Sequence, residues 1–120
     1  MEDETYHRFR SARQEPVRLQ AALDGFFAFD GEDERQKKYT FYLKKRIRPA
    51  MEALIRSQQI EQMEILAEQG WYGKKELETF IRTAREEGRL QALVWLMKEK
   101  NDRYGYEDRE SSMLILIILS

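Results

Sequence analysis

The residues able to do chemistry are few. One histidine, His7, stands between Tyr6 and Arg8, and the chain contains no cysteine. A zinc site takes several nitrogen or sulfur ligands, and covalent catalysis takes a nucleophile, a base and an orienting group within reach of one another. Without a thiol or a second imidazole, His7 reads as a solvated side chain rather than a ligand or a base. The acidic groups in "GEDE" and "REEG" lack the alternation and the turn glycine of a calcium loop, and read as solvated helix ends. Neither a phosphate-cradling glycine loop nor a Gly-Lys-Ser/Thr motif occurs. The expectation is a chain with no catalytic residue, no metal ligand and no cofactor, and so not an enzyme.

One run does have a chemical pattern. "RQKKYTFYLKKRIR" interleaves seven basic residues with Tyr39, Phe41 and Tyr42, and cations beside rings are what single-stranded nucleic acid needs, phosphates meeting the former and bases stacking on the latter. Two features weigh against it. Glu32, Asp33 and Glu34 lead the same segment and Lys44, Lys45 and Arg46 end it, which is the charge order that a helix dipole favours anyway. The chain as a whole carries 21 basic and 22 acidic residues, net charge −1, and so offers no overall field to draw in a polyanion. A helical nucleic-acid-binding protein using residues 35–48 therefore stands as the alternative to a protein-binding one.

The elements that would position these groups are helices. Two prolines and six glycines in 120 residues leave little material for the frequent turns of an all-β fold, while Leu, Glu, Gln, Lys, Arg and Ala favour helix. A chain of this length reads as one domain burying roughly two-thirds of its extended surface. Absence of cysteine suits a reducing cytoplasm, and "MEDETYHRFR" lacks the basic start and apolar stretch of a signal peptide. Residues 1–14 are polar and charged and predict a frayed helix that adds little to a core. Residues 15–48 predict two N-terminal helices, one presenting Leu19, Ala22, Leu23 and Phe26 and the other Tyr39, Leu43 and Ile47. Between them, "GFFAFDG" reads as a packed turn.

Residues 49–101 contain an internal repeat. At an offset of thirty, Met51 falls on Ile81, Leu54 on Ala84, Ile60 on Leu90, Met63 on Leu93 and Leu66 on Leu96. In the second copy Leu77, Phe80, Ile81 and Ala84 form a stripe on one helical face, Gly88 reads as its C-cap, and Leu90, Leu93, Val94 and Met97 continue in a second helix. In the first, Pro49 suits a first helical turn, Met51, Leu54 and Ile55 form the stripe, "RSQQ" turns the chain and Gly70 closes the unit. Two matched helical hairpins in tandem are the mark of a solenoid, because one hairpin cannot bury its own apolar face without a stacked neighbour.

The segment "ILAEQGWYGKKELETFIRTAREEGRLQALVWLMKEKN" resembles the ankyrin repeat family: a helix ending in a leucine and a glycine, a first helix with an alanine, a glycine turn and a leucine-rich second helix. Leu66, Gly70, Ala84, Gly88, Leu93 and Leu96 stand at matching positions, over about residues 47–101. The family's Thr-Pro-Leu-His opening is "ETFI" here and the loop between pairs is shortened, so the resemblance implies an ankyrin-like stack without β-hairpin fingers. The predicted fold is all-α, a helical hairpin stack with N-terminal capping helices, and the predicted task is protein binding as a small adaptor or regulatory subunit.

In such a stack the loops after successive pairs share an edge. "GWYGKKE" and "NDRYGYED" place Trp71, Tyr72, Lys74, Lys75, Arg103, Tyr104 and Tyr106 there, an aromatic and basic mixture typical of interface hot spots. Trp71 reads equally well as core, whereas Tyr72 and Tyr104, each before a glycine in a polar loop, are expected to face a partner. The C-terminal segment 102–120 ends in "MLILIILS", too short for the ~20 residues of a membrane span. Three readings fit it: a tail folded back over the last hairpin, a segment pairing with another chain in a homo-oligomer, or an end altered by a frame change. The first two are favoured, because such a run aggregates when exposed.

Overall fold

Leucine-rich and alanine-rich stretches with few breakers become seven helices in the computed structural model, which describes residues 3–28 and 33–105. They are α1 (Glu4–Ser11), α2 (Glu15–Ala28), α3 (Glu34–Lys45), α4 (Ile47–Arg56), α5 (Ile60–Glu68), α6 (Lys74–Glu86) and α7 (Leu90–Tyr104), with no strand among the described residues. The fold is all-α, as the composition predicts. No described helix is long and apolar enough to cross a membrane. The apolar run 113–120 and Tyr106 lie outside the described residues. Length alone reads as one domain; the chain divides into two compact units, Met1–Ala50 and Met51–Ser120.

In the first unit α1 packs on α2 and α2 on α3. The expectation for residues 1–14 is corrected here. Asp3 caps α1, its carboxylate accepting the Tyr6 N–H at 3.0 Å, which satisfies one of the orphan donors of the first turn. Phe9 is buried and meets the rings of Tyr39 and Tyr42 at 5.1 and 5.2 Å, with Tyr6 edge-on to Tyr39 at 5.8 Å. Two aromatic residues suffice to anchor an otherwise charged helix, because each ring removes a large apolar area from water. "GFF" is likewise not a turn: α2 continues through Ala28. Gly25 serves close approach instead, since a Cβ there would lie 2.2 Å from the buried Tyr39 ring.

The second unit carries the repeat, and the two turns share their main backbone bonds at the offset of thirty. Ser57 N–H donates to Ala53 O at 3.2 Å and Glu87 N–H to Thr83 O at 3.0 Å; Gln59 N–H donates to Leu54 O at 2.9 Å and Arg89 N–H to Ala84 O at 2.8 Å. Gln59 and Arg89, the residues opening α5 and α7, have φ/ψ of −83/75° and −88/79°. Met51, Leu54, Met63 and Leu66 are buried, and so are their counterparts Ile81, Ala84, Leu93 and Leu96. Full burial of each large aliphatic side chain is worth about 1.5–3 kcal/mol. Leu90 departs from the expected stripe. It sits in the first turn of α7, at the margin of the buried set Ala92, Leu93, Leu96 and Met97, and stays 59% exposed.

Side chains stitch one copy to the next. Gln58 Oε1 accepts the Gln91 N–H at 2.9 Å and the Ala92 N–H at 3.3 Å, so the first turn caps the N-terminus of α7. Arg56 reaches Glu87 at 3.0 Å. At the other end Arg103 Nη2 donates to Ala67 O at 2.9 Å, satisfying a carbonyl in the last turn of α5. Within the second pair Lys100, buried on α7, meets Glu78 of α6 at 3.4 Å.

Candidate interaction surface

The loop between α5 and α6 is built by two glycines with different tasks. Gly70 holds φ +75°, a left-handed conformation that other residues adopt only with strain, and so lets the chain leave α5. Gly73 opens α6, its N–H donating to Glu76 Oε2 at 3.0 Å, and that carboxylate also suits the positive end of the helix. Trp71 and Tyr72 hang between them, both half-buried.

Tyr72 does not face outward as expected. Its ring stands edge-on to the fully buried Phe80 at 5.2 Å, and its hydroxyl is buried without a hydrogen-bond partner among the described residues. Burial pushes the phenol up to about 12, the Glu99 carboxylate adds to the rise and Arg103 opposes it. The physical reason is that Phe80 of α6 leaves an apolar surface beside the loop, and the nearest large ring covers it. Glu99, Arg103 and Tyr104, which act electrostatically on that hydroxyl, all belong to the last turns of α7, and Arg103 also bonds Ala67 O in the last turn of α5.

The remaining expected contact residues divide by what already holds them. Arg103 is engaged twice, with Glu99 and with Ala67 O, and acts as a brace. Lys74 and Lys75 are exposed in the first turn of α6. Tyr104 ends α7 with 43% of its surface exposed, just before Gly105 turns the chain at φ +81°. The expected contact residues left most exposed are therefore Lys74, Lys75 and Tyr104.

The basic run forms a second surface in the first unit. Asp33 caps α3 through the Arg35 and Gln36 N–H groups, and Arg35 is paired with Asp33 and Asp3. Tyr42 is buried and its hydroxyl donates to Glu15 at 2.6 Å; burial first and that bond second push the phenol up to about 12. The same bond, ahead of the Arg46 cation, holds Glu15 below the usual carboxylate range. Tyr39 is thus core, as the helix stripe predicts, Tyr42 joins it from off that stripe, and Phe41 does not: it is 65% exposed. Phe41, Phe9, Tyr42, Lys37, Lys38, Lys45 and Arg46 line an open groove of about 630 Å³.

His7 lies exposed on α1 and is not among the residues that line the groove. Sequence reasoning misses Gln58, Arg103 as a brace and the burial of Tyr42. Gln58 has a detectable signal, because it occupies the position of Gly88 and must share its left-handed backbone; the other two depend on which neighbours arrive. Comparison with protein-family models, with curated proteins and with solved structures yields no match to this chain. The ankyrin resemblance accordingly rests on the repeat itself, a pattern that an unrelated stack of α-hairpins carries as well.

Proposed function

We propose that the chain is a non-enzymatic protein-binding module, a small adaptor or regulatory subunit of the cytoplasm, built on an ankyrin-like pair of hairpins. The carrying observation is the exposed Tyr104 at the end of α7. Tyr72 and Arg103 are already committed to the fold, the one packed on Phe80 of α6 and the other bonded to Ala67 O of α5. Exposed aromatic and basic groups on a pre-ordered edge lose little conformational freedom on binding, which favours their use as contacts. Lys74 and Lys75 suit a partner with carboxylates near an apolar patch.

Tyr104→Ala is expected to weaken partner capture by more than ten-fold, ten-fold corresponding to ~1.4 kcal/mol, with an unchanged melting temperature. Tyr72→Phe should leave capture intact, because it removes only a buried hydroxyl. Affinity capture from native cells, followed by titration of the captured protein against both variants, tests this. Equal binding by the Tyr104 variant would remove this edge as the site. Tyr72→Ala is unsuited to the purpose, since it strips the cover from Phe80.

A further inference from the structure

We infer that the α3 groove is a binding site for single-stranded nucleic acid, with one base stacked on Phe41 and the flanking phosphates held by lysines. Several observations in the first unit carry this. Phe41, at 65% exposure, is the most exposed large hydrophobic side chain among the described residues, and it projects from a helix whose other rings, Tyr39 and Tyr42, are buried. A large ring left in water in the middle of an ordered helix is costly unless something covers it. Lys37 lies one turn before it and Lys45 one turn after, at i−4 and i+4, a spacing that puts all three on one face. Lys38 stands alongside.

Lys37, Lys38, Lys44 and Lys45 make no ion pair among the described residues, whereas Arg35 and Arg46 are tied to Asp33, Asp3 and Glu15. Residues 35–51 contain no acidic side chain, and the carboxylate that reaches the groove lining, Glu15, is held by Tyr42 and Arg46. Lys38 Nζ lies 5.9 Å from the Tyr6 ring, and Lys45 Nζ rests over the Phe41 ring at 4.2 Å. The second contact keeps the ammonium beside the ring, where a stacked nucleotide would bring its phosphate, while the exposed remainder of the ring stays open to a base.

Charge complementarity requires an anionic occupant, and the order cation, ring, cation along one face selects among anions. A nucleotide carries a flat π-system with a phosphate on either side of its sugar, matching that order in one residue. An acidic peptide matches the charge and needs a separately placed apolar side chain for Phe41. The near-neutral total charge makes attraction local, so the site is a short one and its affinity depends on stacking as much as on charge.

The test is fluorescence anisotropy of the whole chain with a short labelled oligothymidylate, titrated from about 50 to about 200 mM salt. Wild type should bind, with log K falling against log salt at a slope of about −2, three phosphates at about −0.7 each. Phe41→Ala should weaken binding about ten-fold at every salt without altering the slope, since it removes the stacking surface and no charge, and Phe41→Trp should retain it. The double variant Lys37→Ala/Lys38→Ala should flatten the slope. Thermal melts verify that each variant folds. Absence of binding at low salt overturns the proposal, as does a Phe41→Ala variant that binds like wild type. A glutamate-rich peptide with a single tryptophan is the counter-probe: if it competes as well as unlabelled oligonucleotide, the groove is a protein site instead.

Discussion

The turn at residues 56–60 and the turn at residues 86–90 have the same backbone and different chemistry. Gly88 adopts φ +66° at no steric cost, and Gln58 adopts φ +51°, which for a residue with a Cβ costs about 1–2 kcal/mol. What separates them is the neighbour each can serve. Beyond Gln58 there is a further helix to cap, and its side chain reaches the N-terminus of α7 to accept two N–H groups. Gly88 has open space around its missing Cβ and no side chain with which to reach anything. A strained position is retained where its side chain joins one repeat to the next, and relaxed to glycine where it does not.

The likeness of the two copies can be broken first at their shared foundation. Leu66 and Leu96 are both fully buried at equivalent positions, so Leu66→Ala and Leu96→Ala should each cost about 2–5 kcal/mol through lost transfer energy and a cavity. Denaturant unfolding would read both. A loss under about 1 kcal/mol at either one would mean that the two copies do not share a core position in the sense the repeat implies.

The contrast between the turns sets a smaller, ordered series. Gln58→Ala removes the cap and keeps the strain, for a loss of about 1–2 kcal/mol, while Gln58→Gly removes both and should lie above the alanine variant by about 1 kcal/mol. Gly88→Ala introduces strain with no cap in return and should cost about 1 kcal/mol or more. If Gln58→Ala and Gln58→Gly melt together, left-handed strain is not what separates the two turns. Smallest of all is the link between Arg56 and Glu87. Arg56 is largely exposed, and a double-mutant cycle at low salt should yield about 0.2–1 kcal/mol that fades as salt is raised.

How much of the molecule is legible in the chain depends on the range of the forces involved. Helical periodicity, the glycine stops and the thirty-residue repeat are local or self-similar patterns, and they are enough for the all-α class and for the pairing of Met63 with Leu93 and of Leu66 with Leu96. Gly70 and Gly88 are readable as stops because positive φ selects glycine by sterics alone. The first fourteen residues mislead because their composition is polar. Phe9 contributes one large buried ring, and one such contact outweighs a charged helix surface that stays in water.

Tertiary structure alone decided which rings are surface. Tyr72 in a polar loop is expected outside and packs on Phe80; Tyr42, off the stripe of Tyr39, Leu43 and Ile47, is buried, while its neighbour Phe41 stands in solvent. Burial of a single side chain depends on which distant residue arrives beside it, and neither spacing nor residue type carries that information. The sequence by itself determined the helices, their stops and the repeat, since these arise from contacts within a few residues. The structure decided that Gln58 caps α7, that Arg103 braces α5 and that Lys37, Lys38 and Lys45 surround an open ring, because each needs separate parts of the chain brought together or turned outward in space.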